Sequence, residues 1–210
     1  MTDAVAQSRT KTDLSPVMTE EEFVACCRDE DVKAEFVDGR VIIVPPESRR
    51  DEAIRWFVGT VLHIFVEHHH LGEVYGPNLT ARLRVGLRRV PDLLFISHDR
   101  LSLLRESHLE GAPDLTLEIV SPDSAARDWH DKYLEYEAAG VREYWVIDPQ
   151  VQRMDVYQLN ETGRYEALPQ EEGVYRSAAV PGFWLRPDWL WQEPLPGTLE
   201  ILRELGVLQR

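Results

Sequence analysis

The chain has 210 residues, 43% of them hydrophobic, enough to bury a core and to form one domain. With 37 Asp and Glu against 23 Lys and Arg, its formal net charge is −14, which repels nucleic acid at long range and excludes a broadly basic binding surface, so any phosphate contact has to come from a local patch. No apolar stretch is long enough to span a membrane, and the adjacent Cys26 and Cys27 exclude a disulfide framework and a cysteine zinc site.

The first residues are polar, with no hydrophobic signal core, so residues 1–18 are expected to be a disordered tail, residues 19–210 a single domain, and the protein cytoplasmic. Thr19 to Glu22 form a capping box, which predicts a helix from about Glu20 toward Asp29. Ala34 to Val37, Asp38-Gly39 and Arg40 to Val44 predict a β-hairpin. From about Arg50 to His69, Ile54, Phe57, Val58, Val61, Leu62 and Phe65 recur at helical spacing, and Gly72 ends the helix. Short strands follow around Glu73 to Tyr75, Leu79 to Val85 and Pro91 to Ser97, then a weak helix near Asp99 to Leu104 and a mostly apolar strand at Leu115 to Val120. Ser124 caps a helix that Gly140 closes, and two strands around Tyr144 to Ile147 and Met154 to Tyr157 come after it. Strand, helix, strand is a crossover unit, so the expected class is α/β, a mixed central sheet flanked by helices. Beyond Gly163, Trp184, Trp189 and Trp191 among prolines point to core or subunit contact, before a short helix capped by Thr198.

Two acids interrupt the apolar strands. Asp92 lies in Arg89 to Ile96 and Glu118 in Pro113 to Val120; a carboxylate in such a run is costly to bury without a cation or a donor. Side chains alternate along a strand, so Asp92 shares a face with Leu94 and Ile96, and Glu118 with Thr116 and Val120. Side by side, the strands bring both acids to one cation, and two carboxylates with water and phosphate in the remaining positions suit a hard ion such as Mg²⁺. Asp114 also follows a proline and rivals Asp92. Arg82, Arg84, Arg88 and Arg89, in a strand-turn-strand segment leading into Asp92, are the candidate phosphate patch, with Arg49 and Arg50 as another; the same arginines could instead neutralise nearby acids. Lys132 stands four residues after Asp128 and three before Glu135, a spacing that a surface ion-pair ladder explains. His68, His69 and His70 point in different directions on a helix and cannot chelate together.

Pro91-Asp92, then Glu118 in Glu-Ile-Val, then a lysine resembles the PD-(D/E)XK superfamily of restriction-endonuclease-like nucleases. Pro113 to Ser121 (PDLTLEIVS), Asp128, Lys132-Tyr133 and Gly140 to Pro149 (GVREYWVIDP) resemble the bacterial Uma family of that superfamily, from about Thr19 to the C-terminal residues. The resemblance implies a restriction-endonuclease-like core with an N-terminal helix and hairpin. It also implies Mg²⁺- or Mn²⁺-dependent hydrolysis of phosphodiester bonds in nucleic acid, with DNA as the expected substrate. Asp92, Glu118 and the backbone carbonyl of Ile119 would hold the metal, Lys132 would orient water or neutralise the transition state, and Glu35 would lie near the metal. It favours Asp92 over Asp114, because the family draws its carboxylates from different strands, and by analogy it implies a homodimer. Val120 stands where the simplest superfamily pattern has its lysine, a departure the Uma family shares, and Ser48 to Glu52 lack the histidine the family often carries there.

Two other classes compete. The acidic charge and C-terminal aromatics suit a catalytically inactive nuclease-like fold that serves as a protein-interaction or regulatory subunit. Paired carboxylates also serve glycosidases, which need a sugar cleft rather than a phosphate-binding lysine.

Overall fold

A computed structural model describes residues 17–29, 33–122 and 124–209. Most of the expected N-terminal tail lies outside these residues, although Met18 is tied to the first hairpin through a bond from its N–H to the Gly39 carbonyl at 3.0 Å. Helix α1 (Glu20–Asp29) starts with the expected capping box: Glu22 N–H donates to the Thr19 hydroxyl and Thr19 N–H to the Glu22 carboxylate. Strands β1 (Ala34–Val37) and β2 (Arg40–Ile43) turn at Asp38 and Gly39, with φ of 46° and 88°, and left-handed backbone at both positions is what a two-residue turn between twisted strands requires. Helix α2 (Arg49–His68) is capped by Ser48 in a reciprocal box with Asp51 and buries Ile54, Phe57, Val58, Val61, Leu62 and Phe65.

The strands that follow are β3 (Gly72–Tyr75), β4 (Thr80–Arg84), β5 (Leu87–Arg89), β6 (Leu93–Ser97), β7 (His108–Glu110) and β8 (Leu115–Ile119), with a 3₁₀ turn at His98–Leu103. A π-helical turn, Arg127–Asp131, runs into α3 (Lys132–Ala139), which ends at Gly140 with φ 83°. Then come β9 (Glu143–Asp148), β10 (Arg153–Leu159), β11 (Tyr165–Ala167), β12 (Tyr175–Arg176), β13 (Trp184–Leu185), α4 (Pro187–Leu190) and α5 (Thr198–Glu204).

The central sheet has the order β11-β10-β9-β8-β6-β3. It is mixed as expected, since β8 and β9 pair in parallel across the α3 crossover and the other neighbours are antiparallel. Alternation along β6 and β8 divides the core. Leu93, Phe95, Leu115, Leu117 and Ile119 pack with α2 and the C-terminal segment, while Leu94, Ile96 and Val120 pack with Tyr136 and Tyr144. Ala81, Leu83, Leu87 and Leu109 join this second cluster from a smaller sheet, β2-β1-β5-β4-β7, which sequence patterning did not separate from the first. Trp189 is buried and Trp184 and Trp191 pack against the first cluster, so the aromatic C-terminal segment is core. Its last helix is capped by Gly197 rather than Thr198.

Candidate active site

Strands β6 and β8 pair with Leu93 opposite Leu117, and continuing that antiparallel register by one residue sets Asp92 opposite Glu118. Directly opposed positions share a face, with Cβ atoms typically about 4.5–5.5 Å apart. Both carboxylates therefore face the α3 side of the sheet and line one cavity of about 40 Å³. Asp114, the rival acid, is buried elsewhere, accepting from Ser97 N–H at 2.8 Å and paired with Arg100 and Arg142. It is a fastening between strand ends.

Lys132 is no surface residue. Its Nζ lies 2.7 Å from Glu118 Oε2, 3.1 Å from Asp128 Oδ1 and 3.5 Å from Glu35 Oε1, and the residue is 5% exposed. The i,i+4 spacing to Asp128 is thus a real pair, but it points inward, and Glu135, the other expected rung, turns to Arg89. Glu118 Oε1 accepts from Tyr136 Oη at 2.7 Å, and Asp92 Oδ2 accepts from Ile119 N–H at 2.7 Å, with Lys33 Nζ 3.7 Å from Oδ1. Glu35 reaches the cluster from β1; Arg89 Nη1 donates to it at 2.6 Å and Val90 N–H at 3.2 Å. Four buried carboxylates, Glu35, Asp92, Glu118 and Asp128, thus surround one ammonium.

Their protonation follows from the imbalance. Burial opposes charge on Lys132, but Glu118, Glu35, Asp128 and Asp92 outweigh it and hold the amine protonated well above its ordinary range. Burial also opposes the charge of Glu35, yet Lys132 and Arg89 overcome it and lower the carboxyl to about 2. Asp92 is pushed up from 3.8 to about 6, mainly by burial, against the pull of Lys132. Glu118 is raised as well, first by burial, with Asp92, Asp128 and Glu35 adding to it.

These shifts act on stability in opposite senses. Glu35 is lower in the folded state, so its contribution is present above the ordinary 4.5 and is lost as pH falls toward about 2. Asp92 is higher when folded, so the native state binds the extra proton and stability from this group declines as pH rises from 3.8 to about 6. Asp92→Asn should flatten that decline in urea midpoints measured across this window without metal. An unchanged slope would place the proton on another group.

The six arginines marked in the sequence do not gather at the cavity. Arg89 is 1% exposed and clamps Glu35 and Glu135, so it cannot present itself to a phosphate. Arg82 and Arg88 are held by Glu20, and Arg84 by Asp38. Arg50 donates to the carbonyls of Leu190 and Gln192, and Arg49 lies 3.9 Å from Glu193. Sequence reasoning missed two cations at the cavity: Lys33, which is paired with Glu47 and Asp92, and Arg127, next to Asp128 on the π-helical turn, where a helical arginine beside an acid gives no distinguishing signal. Cys26 is an exposed free thiol, and the histidines of His68–His70 lie at the C-terminal end of α2, His68 and His69 ring against ring. Among the described residues, no group of three or more His, Cys, Asp or Glu side chains is placed to hold a metal ion by itself, the carboxylates of the cluster being turned to the Lys132 ammonium.

The mixed sheet flanked by helices is the restriction-endonuclease-like fold class that the sequence led one to expect. The chain belongs to the Uma2 family, described as putative restriction endonucleases, which matches residues 20–188. A solved structure described as a putative nuclease belonging to DUF820, from Anabaena variabilis, shares this fold: its TM-score is 0.69 at 21% identity, over 83% of this chain and 97% of that one. No curated protein matches the sequence. No helix among the described residues is long and apolar enough to cross a membrane.

Proposed function

We propose that this chain is a metal-dependent endonuclease that hydrolyses phosphodiester bonds in nucleic acid, with DNA as the substrate, working as a cytoplasmic homodimer whose two sites serve the two strands. The observation that carries the reading is the opposed pair Asp92 and Glu118 with the Lys132 ammonium 2.7 Å from the latter. The residues fit a hard divalent cation: their donors are oxygens, the carboxylates outnumber the ammonium they enclose, and the buried Asp128 Oδ1 has no hydrogen-bond partner beyond its ion pair. Asp92, Glu118 and the Ile119 carbonyl would hold Mg²⁺ or Mn²⁺, which when bound supplies Lewis acidity to the phosphate and lowers the pKa of a bound water. Lys132, fixed by three carboxylates, places positive charge where the attacked phosphate becomes more anionic and can hold a water in line. Arg89 acts at one remove by keeping Glu35 ionised and turned toward Lys132. A cavity of about 40 Å³ admits little more than a water or two, so a phosphate meets these groups at the mouth and no base enters.

Glu118→Gln keeps the shape of the side chain and removes its charge. Titrated with Mn²⁺ by calorimetry and assayed on supercoiled plasmid with Mg²⁺, it should lose metal affinity and cut roughly two to three powers of ten more slowly than the parent. Cleavage that survives in Glu118→Gln or in EDTA would reject the mechanism. A parent chain that neither binds Mn²⁺ nor cuts would favour the interaction-subunit reading, and sedimentation of the parent tests the dimer.

A further inference from the structure

The geometry points to Arg127 as the residue that grips the phosphate of the substrate, since among the described residues it is the arginine that lines the cavity. This rests on the endonuclease reading and extends it by naming the anion-binding group. Arg127 lines the same cavity as Asp92, Glu118 and Lys132, and its side chain is 20% exposed, so it reaches both the floor of the site and its mouth. Among the described residues it makes no side-chain hydrogen bond. Its Nε is buried without a hydrogen-bond partner, and the nearest acid among the described residues, Glu35, is 3.9 Å away.

Competition explains why that contact stays open. Glu35 Oε2 already accepts from Arg89 at 2.6 Å, and its other oxygen takes Val90 N–H and faces Lys132, so Glu35 has little left to offer a third cation. A buried guanidinium N–H without an acceptor is costly, and an incoming anion removes that cost. The backbone supports the placement: Lys132 N–H donates to the Arg127 carbonyl five residues back, a widened turn that sets Arg127, Asp128 and Lys132 around one cavity. A guanidinium offers paired donors that match two phosphate oxygens, which an ammonium cannot do. In a chain of net charge −14, an arginine at the mouth that makes no side-chain hydrogen bond among the described residues is the local attraction a polyanion needs.

The test compares the parent, Arg127→Gln, Arg127→Lys and, as a control, Arg84→Gln, whose arginine is paired with Asp38 away from the cavity. A fluorescent 20-base-pair duplex is titrated by anisotropy in EDTA and in Ca²⁺ over a salt series; Mn²⁺ affinity and Mg²⁺-dependent cleavage are measured on the same proteins. Arg127→Gln should leave Mn²⁺ affinity within about twofold, weaken duplex binding by roughly tenfold or more, and make the salt dependence shallower by about one unit of slope. Arg127→Lys should recover part of the binding, and Arg84→Gln should bind as the parent does. Equal duplex binding by Arg127→Gln and the parent overturns the assignment. If the parent binds duplex in an Arg127-dependent way and does not cut it, the hydrolytic reading falls and the phosphate contact stands. A parent that binds no duplex overturns both.

Discussion

Replacing Lys132 by methionine should destabilise the fold by about 3–5 kcal/mol at neutral pH, the usual result of removing one partner from a buried ion pair. The reason is the company it keeps: methionine fills much of the same volume but leaves Glu118, Asp128 and Glu35 facing one another without the ammonium that now lies within 3.5 Å of each. The loss should shrink as the medium is acidified, because protons can then neutralise what the lysine neutralised. Urea unfolding of Lys132→Met and the parent at two pH values measures both effects. Equal midpoints at neutral pH would mean that the amine contributes little as a counter-ion. Cleavage should fall by roughly two to three powers of ten, and since stability falls too, it has to be assayed well below the unfolding midpoint.

Arg89→Met should cost a similar amount, about 3–5 kcal/mol, whereas Arg84→Gln should change stability by no more than about 1 kcal/mol. Arg89 donates through three nitrogens to Glu35 and Glu135 and is 1% exposed, while the Arg84 side chain is 53% exposed on its partner Asp38. Denaturant midpoints of the two variants, side by side, test whether these neighbouring arginines belong to one patch. Similar small losses in both would restore the view of a single exposed strip. The Arg89 variant should also weaken metal binding, since an unclamped Glu35 no longer fixes Lys132.

Much of the fold was legible because it rests on periodicity and turn chemistry. The capping box at Thr19, the Asp38-Gly39 hairpin, the apolar stripe of α2 and the Gly140 stop each follow from local sequence. The smaller sheet was not separable, because β5 and β7 have three residues each and a run that short carries no period. The acids Asp92 and Glu118 stood out for the same reason that they are costly, lying in runs of otherwise apolar residues. Lys132 did not stand out from the residues alone. Spacing to Asp128 reports a shared helix face, and only packing decides whether that face meets water or carboxylates. The arginine row failed on alternation: Arg88 and Arg89 are adjacent, so they point to opposite sides of β5, one held by Glu20 and the other enclosed in the interior.

The cluster around Lys132 is drawn from far apart in the chain: Glu35 from the first hairpin, Asp92 from the residue before β6, Glu118 from its partner strand β8, Asp128 and Lys132 from the crossover that leads to β9. No fragment ending before α3 contains it. During synthesis the N-terminal elements emerge first, and contacts between segments so distant in sequence form slowly compared with local ones. The assembled charge cluster is therefore a property of the finished fold, and an incomplete chain exposes the acids without the lysine that organises them.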